Sequence, residues 1–266
     1  MDLDLDKVVK VICSVAEEAG FFIRSEAAAF SNDKVKSKDY HDLVSYVDTE
    51  AEKMIVTGLS EIIAGASFYT EEETSARGSG EYTWYIDPLD GTTNFIHGVA
   101  PYSVSIALNH NDTTIAGVVY DITSHEMFYA TRGGGAWMNG NRIKVTDTPS
   151  VDQGIFATGF PVRKFHRLTD YMKCLEYFIR HSHGVRRMGS ASVDMAHVAC
   201  GKYDGFFEYG LNPWDVMAGA LIVREAGGRA TTFTGNDSPM TGEEIIAANS
   251  KISDEVINIV SGIMVI

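Results

Sequence analysis

The sequence predicts an α/β fold, because helical and strand-like hydrophobic patterns both recur along the chain. Apolar residues follow helical spacing over residues 5–30, and they occupy every second position over residues 82–108. After about residue 150, strand-like and helical segments alternate to the end of the chain. Helices and sheets bury their apolar faces against each other, so we expect layers of both.

Two amphipathic helices are predicted near the start of the chain. The first spans residues 5–30 and places Val8, Ile12 and other apolar residues on one face. The second begins near Asp48, whose carboxylate can cap a helix N terminus, and it carries Ile55 on its apolar face. Both apolar stripes indicate helices that pack on a core.

The middle of the chain predicts an antiparallel meander. Strand patterns at 82–86 and 102–108 flank a polar interruption, "DPLDGTTNFIHG", and Pro88 should end the first of these strands. Further strands follow at "TIAGVVYD", "EMFYAT" and "AWMNGNRIKV". The last contains Asn139-Gly140, a strong hairpin signal.

The second half predicts alternating strands and helices. The strands lie at "GIFATGF", near 184–188 and at "YDGFFEYG", and the helices span 165–181, 190–201 and 214–226, before two strands and a final helix. No Pro-rich or Ser-rich linker separates the two halves. We therefore expect residues 1–266 to form one unit, with halves of about 1–150 and 151–266.

Composition narrows the classes of partner. The net charge of -14 over 266 residues argues against direct nucleic-acid binding, which needs clustered Lys and Arg. No run of about 18 apolar residues occurs, and the N terminus is acidic, so neither a membrane span nor a signal peptide is predicted. We expect a cytoplasmic protein whose three cysteines are reduced.

The stretch "WYIDPLDGTTNF" predicts a cation site. Asp87 and Asp90 lie three residues apart on a tight turn, where their charges repel unless a cation lies between them. The Leu89 carbonyl can add a third oxygen, and all-oxygen ligation favours Mg²⁺.

The residues that follow the two aspartates predict an anion site. If a helix starts at Gly91 and Thr92, its free N–H groups face an anion beside the cation, which together indicate phosphate. The alternative is an Asx turn that only caps this helix, and the segment alone does not exclude it.

Two other acidic positions could join this site. Glu71 lies in "FYTEEETS" at the end of an apolar run, although a run of charges is more often a solvated surface. Asp215 lies in the first turn of the helix "NPWDVMAGALIVREAGG", where it could equally be a partner of the helix dipole.

Taken together, "WYIDPLDGTTNFIHG", "WDVMAGALIVREAGG" and the preceding "TEEE" resemble the inositol monophosphatase family of metal-dependent phosphatases, over most of the chain. The resemblance implies an αβαβα layered fold and a single catalytic unit. It also implies dependence on two or three Mg²⁺ ions, inhibition by lithium, and a homodimer.

The resemblance also implies roles for individual residues. Glu71, Asp87 and the Leu89 carbonyl would hold one metal ion, and Asp87, Asp90 and Asp215 a second. Asp48 occupies the position that pairs with Thr92, and Thr92 and Glu71 would orient and activate the attacking water. The substrate would contact the following residues: Asp90, Gly91, Thr92, Gly189, Ser190, Ala191, Glu208 and Asp215. For Ser190, an ordinary helix N terminus is an equal alternative.

The predicted reaction is hydrolysis of a small phosphomonoester by metal-activated water, with inositol monophosphate as the first candidate substrate. Glu208 can accept two hydroxyl hydrogens, which suits a polyol. Relatives that act on NADP(H), fructose 1,6-bisphosphate or 3'-phosphoadenosine phosphates have the same metal ligands, so those substrates stay open. A regulatory binding protein that retains the fold is the alternative of another class.

Overall fold

The computed structural model describes residues 3–28, 35–39, 42–75, 80–162, 164–237 and 241–264. The helices in these ranges are α1 (Leu5–Ala27), α2 (Tyr46–Ser60), α3 (Thr92–Ile96), α4 (Leu168–His181), α5 (Ala191–Ala199), α6 (Pro213–Glu225) and α7 (Ser253–Ile263). The strands are β1 (Val35–Asp39), β2 (Asp42–Ser45), β3 (Ser67–Thr70), β4 (Tyr82–Asp90), β5 (Ser103–His110), β6 (Thr113–Asp121), β7 (Glu126–Thr131), β8 (Gly135–Met138), β9 (Asn141–Arg142), β10 (Ile155–Thr158), β11 (Gly184–Arg186), β12 (Gly205–Tyr209), β13 (Arg229–Thr231) and β14 (Glu244–Ala248).

The larger sheet contains β3 to β9 in sequential order, and every pair is antiparallel except the parallel pair of β3 and β4. The expected meander is confirmed. Asn139 and Gly140 have φ values of 49° and 80° and connect β8 to β9, as the Asn-Gly signal predicts.

The smaller sheet has the strand order β11-β10-β12-β14-β13. Its first three strands are parallel, and β14 runs antiparallel to both of its neighbours. Parallel strands need a crossover connection, which α4 and α5 supply between β10, β11 and β12.

Helices cover both sheets and separate them, so the layers alternate. Ile106 of β5 packs in a core with α1 and α2, whereas its neighbour Ala107 faces α5 and α6 on the other side of the sheet. In β12, Phe206 faces α5 and α6, and Phe207 faces α4 and α7. The expected αβαβα order is therefore confirmed.

The beginning of α2 differs from the expectation. The chain enters α2 directly from β2, so the helix starts at Tyr46, and Asp48 lies inside its first turn. Asp48 is therefore not the N-cap, and its side chain is buried instead. Within the described ranges, no helix has both the length and the apolar character needed to cross a membrane.

Candidate functional site

A cavity of about 210 Å³ opens where the two sheets and the helices between them meet. Segments from β3, β4, α3, α5, β12 and α6 contribute to it. All predicted metal and substrate residues line its wall: Glu71, Asp87, Leu89, Asp90, Gly91, Thr92, Gly189, Ser190, Ala191, Glu208 and Asp215. Asp48 lies behind this wall and contacts it through Thr92.

The turn that carries the two aspartates is a bulge in β4. Asp87 pairs with Ser105 and Asp90 with Ser103, so β4 has one residue more than β5 between these pairs. The expectation that Pro88 ends the strand is wrong, because Pro88 lies in the bulge, where no ladder N–H is needed. The Leu89 amide donates to Asp87 Oδ1 at 2.9 Å.

A glycine allows the chain to turn from β4 into α3. Gly91 has a φ of 96°, in the left-handed region that favours glycine. A Cβ at this position would stand 3.0 Å from the Pro101 carbonyl oxygen and 3.2 Å from that of Gly189. The Gly91 backbone can therefore line the cavity only because it carries no side chain.

Three donors hold Asp90 in place. Its Oδ2 accepts from the Ser190 hydroxyl at 2.7 Å, the Ser192 amide at 2.8 Å and the Ser192 hydroxyl at 2.6 Å. Ser103 of β5 lies 3.0 Å and 2.8 Å from the two serine hydroxyls. Ser190 is the N-cap residue of α5, but its hydroxyl makes no capping hydrogen bond and donates to Asp90 instead.

Thr92 connects α2 to the same turn. Its hydroxyl oxygen lies 3.0 Å from Asp48 Oδ1 and 3.0 Å from the Leu89 carbonyl oxygen. A hydroxyl has one hydrogen to donate and two lone pairs, so the hydrogen that goes to one of these oxygens leaves Thr92 able to accept.

Asp215 is fixed by the beginning of α6. It is the third residue of the helix and forms a capping box with Asn212. The backbone amide of Asn212 donates to Asp215 Oδ2 at 2.7 Å. The alternative that Asp215 interacts with the helix dipole therefore holds for part of its environment. Its carboxyl group also lines the cavity, close enough to Asp87 for its charge to raise the pKa of that residue.

The electrostatics of the cavity fit a bound cation. Burial raises the pKa of Asp87 well above its usual range, and the charges of Glu71, Asp90 and Asp215 raise it further. Burial and the charge of Asp90 raise the pKa of Asp215 to about 7. Carboxylates that repel each other inside a protein are stabilised when a divalent cation replaces the shared protons.

The part of the cavity wall that carries Glu208 suits an alcohol. Burial raises the pKa of Glu208 well above its usual range, and the Arg187 charge opposes this effect. A Cβ on Gly159 would stand 2.0 Å from both Glu208 carboxylate oxygens, so this glycine makes room for the side chain. Tyr171 donates to the Gly159 carbonyl at 2.8 Å and anchors this wall.

Another group of possible metal ligands lies among Asp121, Glu126 and His197, whose ligand atoms are all within 4.8 Å of one another. Lys202 already supplies a cation there, because its ammonium contacts Glu126 Oε2 at 2.5 Å and His197 Nε2 at 3.2 Å. Burial lowers the pKa of His197 to about 4.

Sequence reasoning missed Ser192 and Ser103, which hold Asp90, and Arg187, which lines the cavity beside Glu208. Ser192 lies within the "GSASVD" segment two residues after Ser190, but serines at a helix start are too common to single it out.

The buried Glu52 on α2 was also missed. Its signal is the spacing of four residues from Asp48 on the same helix.

Comparisons with known proteins identify the family of this chain. The model of the inositol monophosphatase family matches residues 4–264. The putative Nus factor SuhB of Neisseria meningitidis serogroup B is 39% identical over 247 residues, which cover 92% of this chain and 95% of that protein. The inositol-1-monophosphatase of Mesorhizobium japonicum is 35% identical over 246 residues, which cover 92% of each.

Solved structures share the whole fold. The crystal structure of the extragenic suppressor protein suhB from Bartonella henselae superimposes with a TM-score of 0.90 at 36% sequence identity, covering 96% of this chain and 98% of that one. Since the family match, the relatives and the fold all extend over nearly the entire length, the chain belongs to the inositol monophosphatase family.

Proposed function

We propose that the protein is a Mg²⁺-dependent phosphatase that hydrolyses a small phosphomonoester, with inositol monophosphate as the first candidate. The observation that carries this proposal is the convergence of Glu71, Asp87, Asp90 and Asp215 on one cavity, which Glu208 also lines. A buried group of carboxylates suits hard divalent cations, and a further carboxylate in the cavity wall suits a substrate rich in hydroxyl groups.

The proposed ligands form two overlapping sets. Glu71, Asp87 and the Leu89 carbonyl would hold one Mg²⁺, and Asp87, Asp90 and Asp215 a second. The charges of Glu71 and Asp215 both raise the pKa of Asp87, and this closeness supports its place between the two sets. Bound Mg²⁺ ions supply positive charge to the phosphoryl oxygens and lower the pKa of water.

Thr92 and Asp48 would orient the attacking water. Because the Thr92 hydroxyl donates its one hydrogen to Asp48 or to the Leu89 carbonyl, its oxygen is left to accept a hydrogen bond from water. Glu71, which lines the same cavity, would accept the proton that the water loses. The attacking water and Glu71, the acceptor of its proton, would then be held in place before the substrate binds. Such prior positioning of reacting groups accelerates the reaction.

The substrate would lie between the two walls of the cavity. The backbone N–H groups of Gly91 and Thr92 would donate to the phosphoryl oxygens, and fixed donors of this kind stabilise developing charge better than water does. Gly189, Ser190 and Ala191 line the path to Glu208, which would accept hydrogen bonds from the hydroxyl groups of the leaving alcohol.

The test is phosphate release by the purified protein with Mg²⁺ and four substrates: inositol 1-phosphate, fructose 1,6-bisphosphate, NADP and 3'-phosphoadenosine 5'-phosphate. We expect the highest kcat/KM for inositol 1-phosphate.

Asp90→Asn should lower kcat/KM by more than about 100-fold, because it removes a proposed metal ligand. The control Asp112→Asn changes an exposed carboxylate and should retain wild-type activity. Full activity of Asp90→Asn would refute the site.

A second candidate function follows from the relatives that are named Nus factor SuhB. We propose, as this second function, that the chain acts as a Nus factor by binding a protein partner, because its net charge of -14 disfavours direct RNA contact. Asp90→Asn separates the two functions. A protein-binding role should persist in this variant. A role that requires catalysis should be lost, because the variant no longer releases phosphate.

A further inference from the structure

Glu52 is a buried carboxylate that has no place in the reaction described above. It lies on α2 with a relative exposure of 0%, four residues after Asp48. Residues four apart on a helix share one face, so Asp48 and Glu52 both point from α2 toward the layer that contains the cavity. Asp48 contacts Thr92, whereas Glu52 contacts a different segment of the chain.

Among the described residues, four hydrogen bonds converge on Glu52, and they come from the segment that carries Glu71. Oε1 accepts from the Thr70 hydroxyl at 2.8 Å, the Thr74 amide at 2.8 Å and the Thr74 hydroxyl at 2.6 Å. Oε2 accepts from the Glu72 amide at 2.7 Å. Bonds to an ionised acceptor are about twice as strong as neutral ones, so this carboxylate fixes the segment firmly.

The backbone of this segment needs such a restraint. Glu73 has a φ of 53°, in the left-handed region that residues other than glycine seldom adopt. The amides on either side of it, those of Glu72 and Thr74, both donate to Glu52. An unfavourable backbone conformation persists where surrounding interactions determine it, and here the determining group is one carboxylate.

Glu71 is thereby held from two sides. Its own amide donates to the Ile86 carbonyl at 3.2 Å, directly before Asp87 on β4, and its neighbours are bound to Glu52. The first contact sets Glu71 beside Asp87, and the second prevents the segment from leaving the cavity.

We propose that Glu52 is a positioning residue for Glu71, and that α2 thus aligns both water-orienting groups, Thr92 through Asp48 and Glu71 through Glu52. This proposal rests on the proposed function for the role of Glu71. Glu52 itself does not line the cavity. It acts through the loop that it binds, so its loss should weaken Mg²⁺ binding more than it slows the reaction at saturating Mg²⁺.

The test compares Glu52→Gln with the control Glu50→Gln. Glu50 lies on the same helix, is exposed and pairs with Lys53 at 2.7 Å. Glutamine retains the size of Glu52, but its NH₂ group cannot accept from the Glu72 amide. In Glu52→Gln we expect faster hydrogen exchange at the Glu72 amide and a Mg²⁺ dissociation constant, measured by calorimetry, that is about 10-fold higher. Glu50→Gln should match the wild type in both.

Thr74→Ala provides a second variant if Glu52→Gln does not fold. Thr74 is exposed, and this change removes only the 2.6 Å hydroxyl bond, so we expect a smaller increase in the Mg²⁺ dissociation constant. An unchanged Mg²⁺ dissociation constant in the folded variants, together with unchanged exchange at Glu72, would overturn the proposal.

The two proposals fail in different ways. If the wild type hydrolyses none of the four phosphate esters, the proposed function fails, but Mg²⁺ binding and amide exchange still measure the effect of Glu52. If the wild type is active and Glu52→Gln lowers kcat at saturating Mg²⁺ without affecting Mg²⁺ binding, the positioning role through the metal ligand is refuted.

Discussion

At the scale of single residues, the site consists of carboxylates whose environments differ. Asp90 has three hydrogen-bond donors on one oxygen, whereas Asp87 is surrounded by other acids. Burial raises the pKa of Asp90, and the donors from Ser192 and Ser190 oppose this effect. The serines therefore favour the ionised form of Asp90, which is the form that a cation needs.

Ser192→Ala tests this role of the serine. Loss of the 2.6 Å hydroxyl bond removes a group that lowers the pKa of Asp90, so protons compete better with Mg²⁺. We expect the acidic limb of the pH profile of kcat/KM to move to higher pH, and the free energy of unfolding to fall by about 1 kcal/mol.

A matched control for this substitution is Ser253→Ala. Ser253 is also buried, and its hydroxyl donates to the Ser250 carbonyl at 3.4 Å, outside the cavity. This variant should leave the pH profile unchanged. An equal shift in both variants would show that the serine acts on stability alone.

At the scale of elements, α6 carries Asp215 to the cavity by packing closely on the larger sheet. Gly117 on β6 permits this approach, since a Cβ there would stand 3.0 Å from the Ala218 Cα and 3.1 Å from its carbonyl oxygen. The position of Asp215 thus depends on a glycine in another element, through the distance between helix and sheet.

Gly117→Ala should push α6 away from the sheet. We expect the free energy of unfolding to fall by about 1–3 kcal/mol, because the neighbouring atoms are backbone and cannot rotate away. Chemical denaturation measures this loss, and calorimetry should show weaker Mg²⁺ binding. Gly262→Ala is the control, since among the described residues no atom outside the adjoining backbone of α7 lies within 4 Å of a Cβ on that glycine. Unaltered stability of Gly117→Ala would contradict the packing argument.

At the scale of the whole molecule, the buried carboxylates make stability depend on pH and on cations. The pKa of Asp215 is raised from 3.8 to about 7, so the folded protein binds this proton more tightly than the unfolded chain does. The contribution of Asp215 to stability is therefore complete below the lower value and is lost as the pH rises toward the higher one.

Thermal unfolding of the metal-free protein between about pH 5 and pH 8 tests this dependence. With EDTA, the fall of the melting temperature with rising pH should be smaller in Asp215→Asn than in the wild type. Mg²⁺ should raise the wild-type melting temperature most at the alkaline end, because the cation binds ionised carboxylates. Identical pH dependence in the two proteins would refute the raised pKa of Asp215.

Much of the fold could be predicted because each element carries its own periodic pattern. The meander and the alternating second half were predicted from spacing alone, and the αβαβα order from the family resemblance. The start of α2 and the path through Pro88 were predicted incorrectly. Both depend on how a neighbouring strand, β2 or β5, pairs and ends, which local propensity does not contain.

The sequence by itself determined the chemical types at the site, since "DPLDGTT" places two carboxylates, a carbonyl and a hydroxyl within a few residues. Only the tertiary structure decided which distant residues hold these side chains in position. Ser192 and Asp90 are 102 residues apart, and Glu52 reaches the Glu71 segment from 18 to 22 residues away. Such contacts depend on the packing of helices against sheets, and no local spacing encodes those distances.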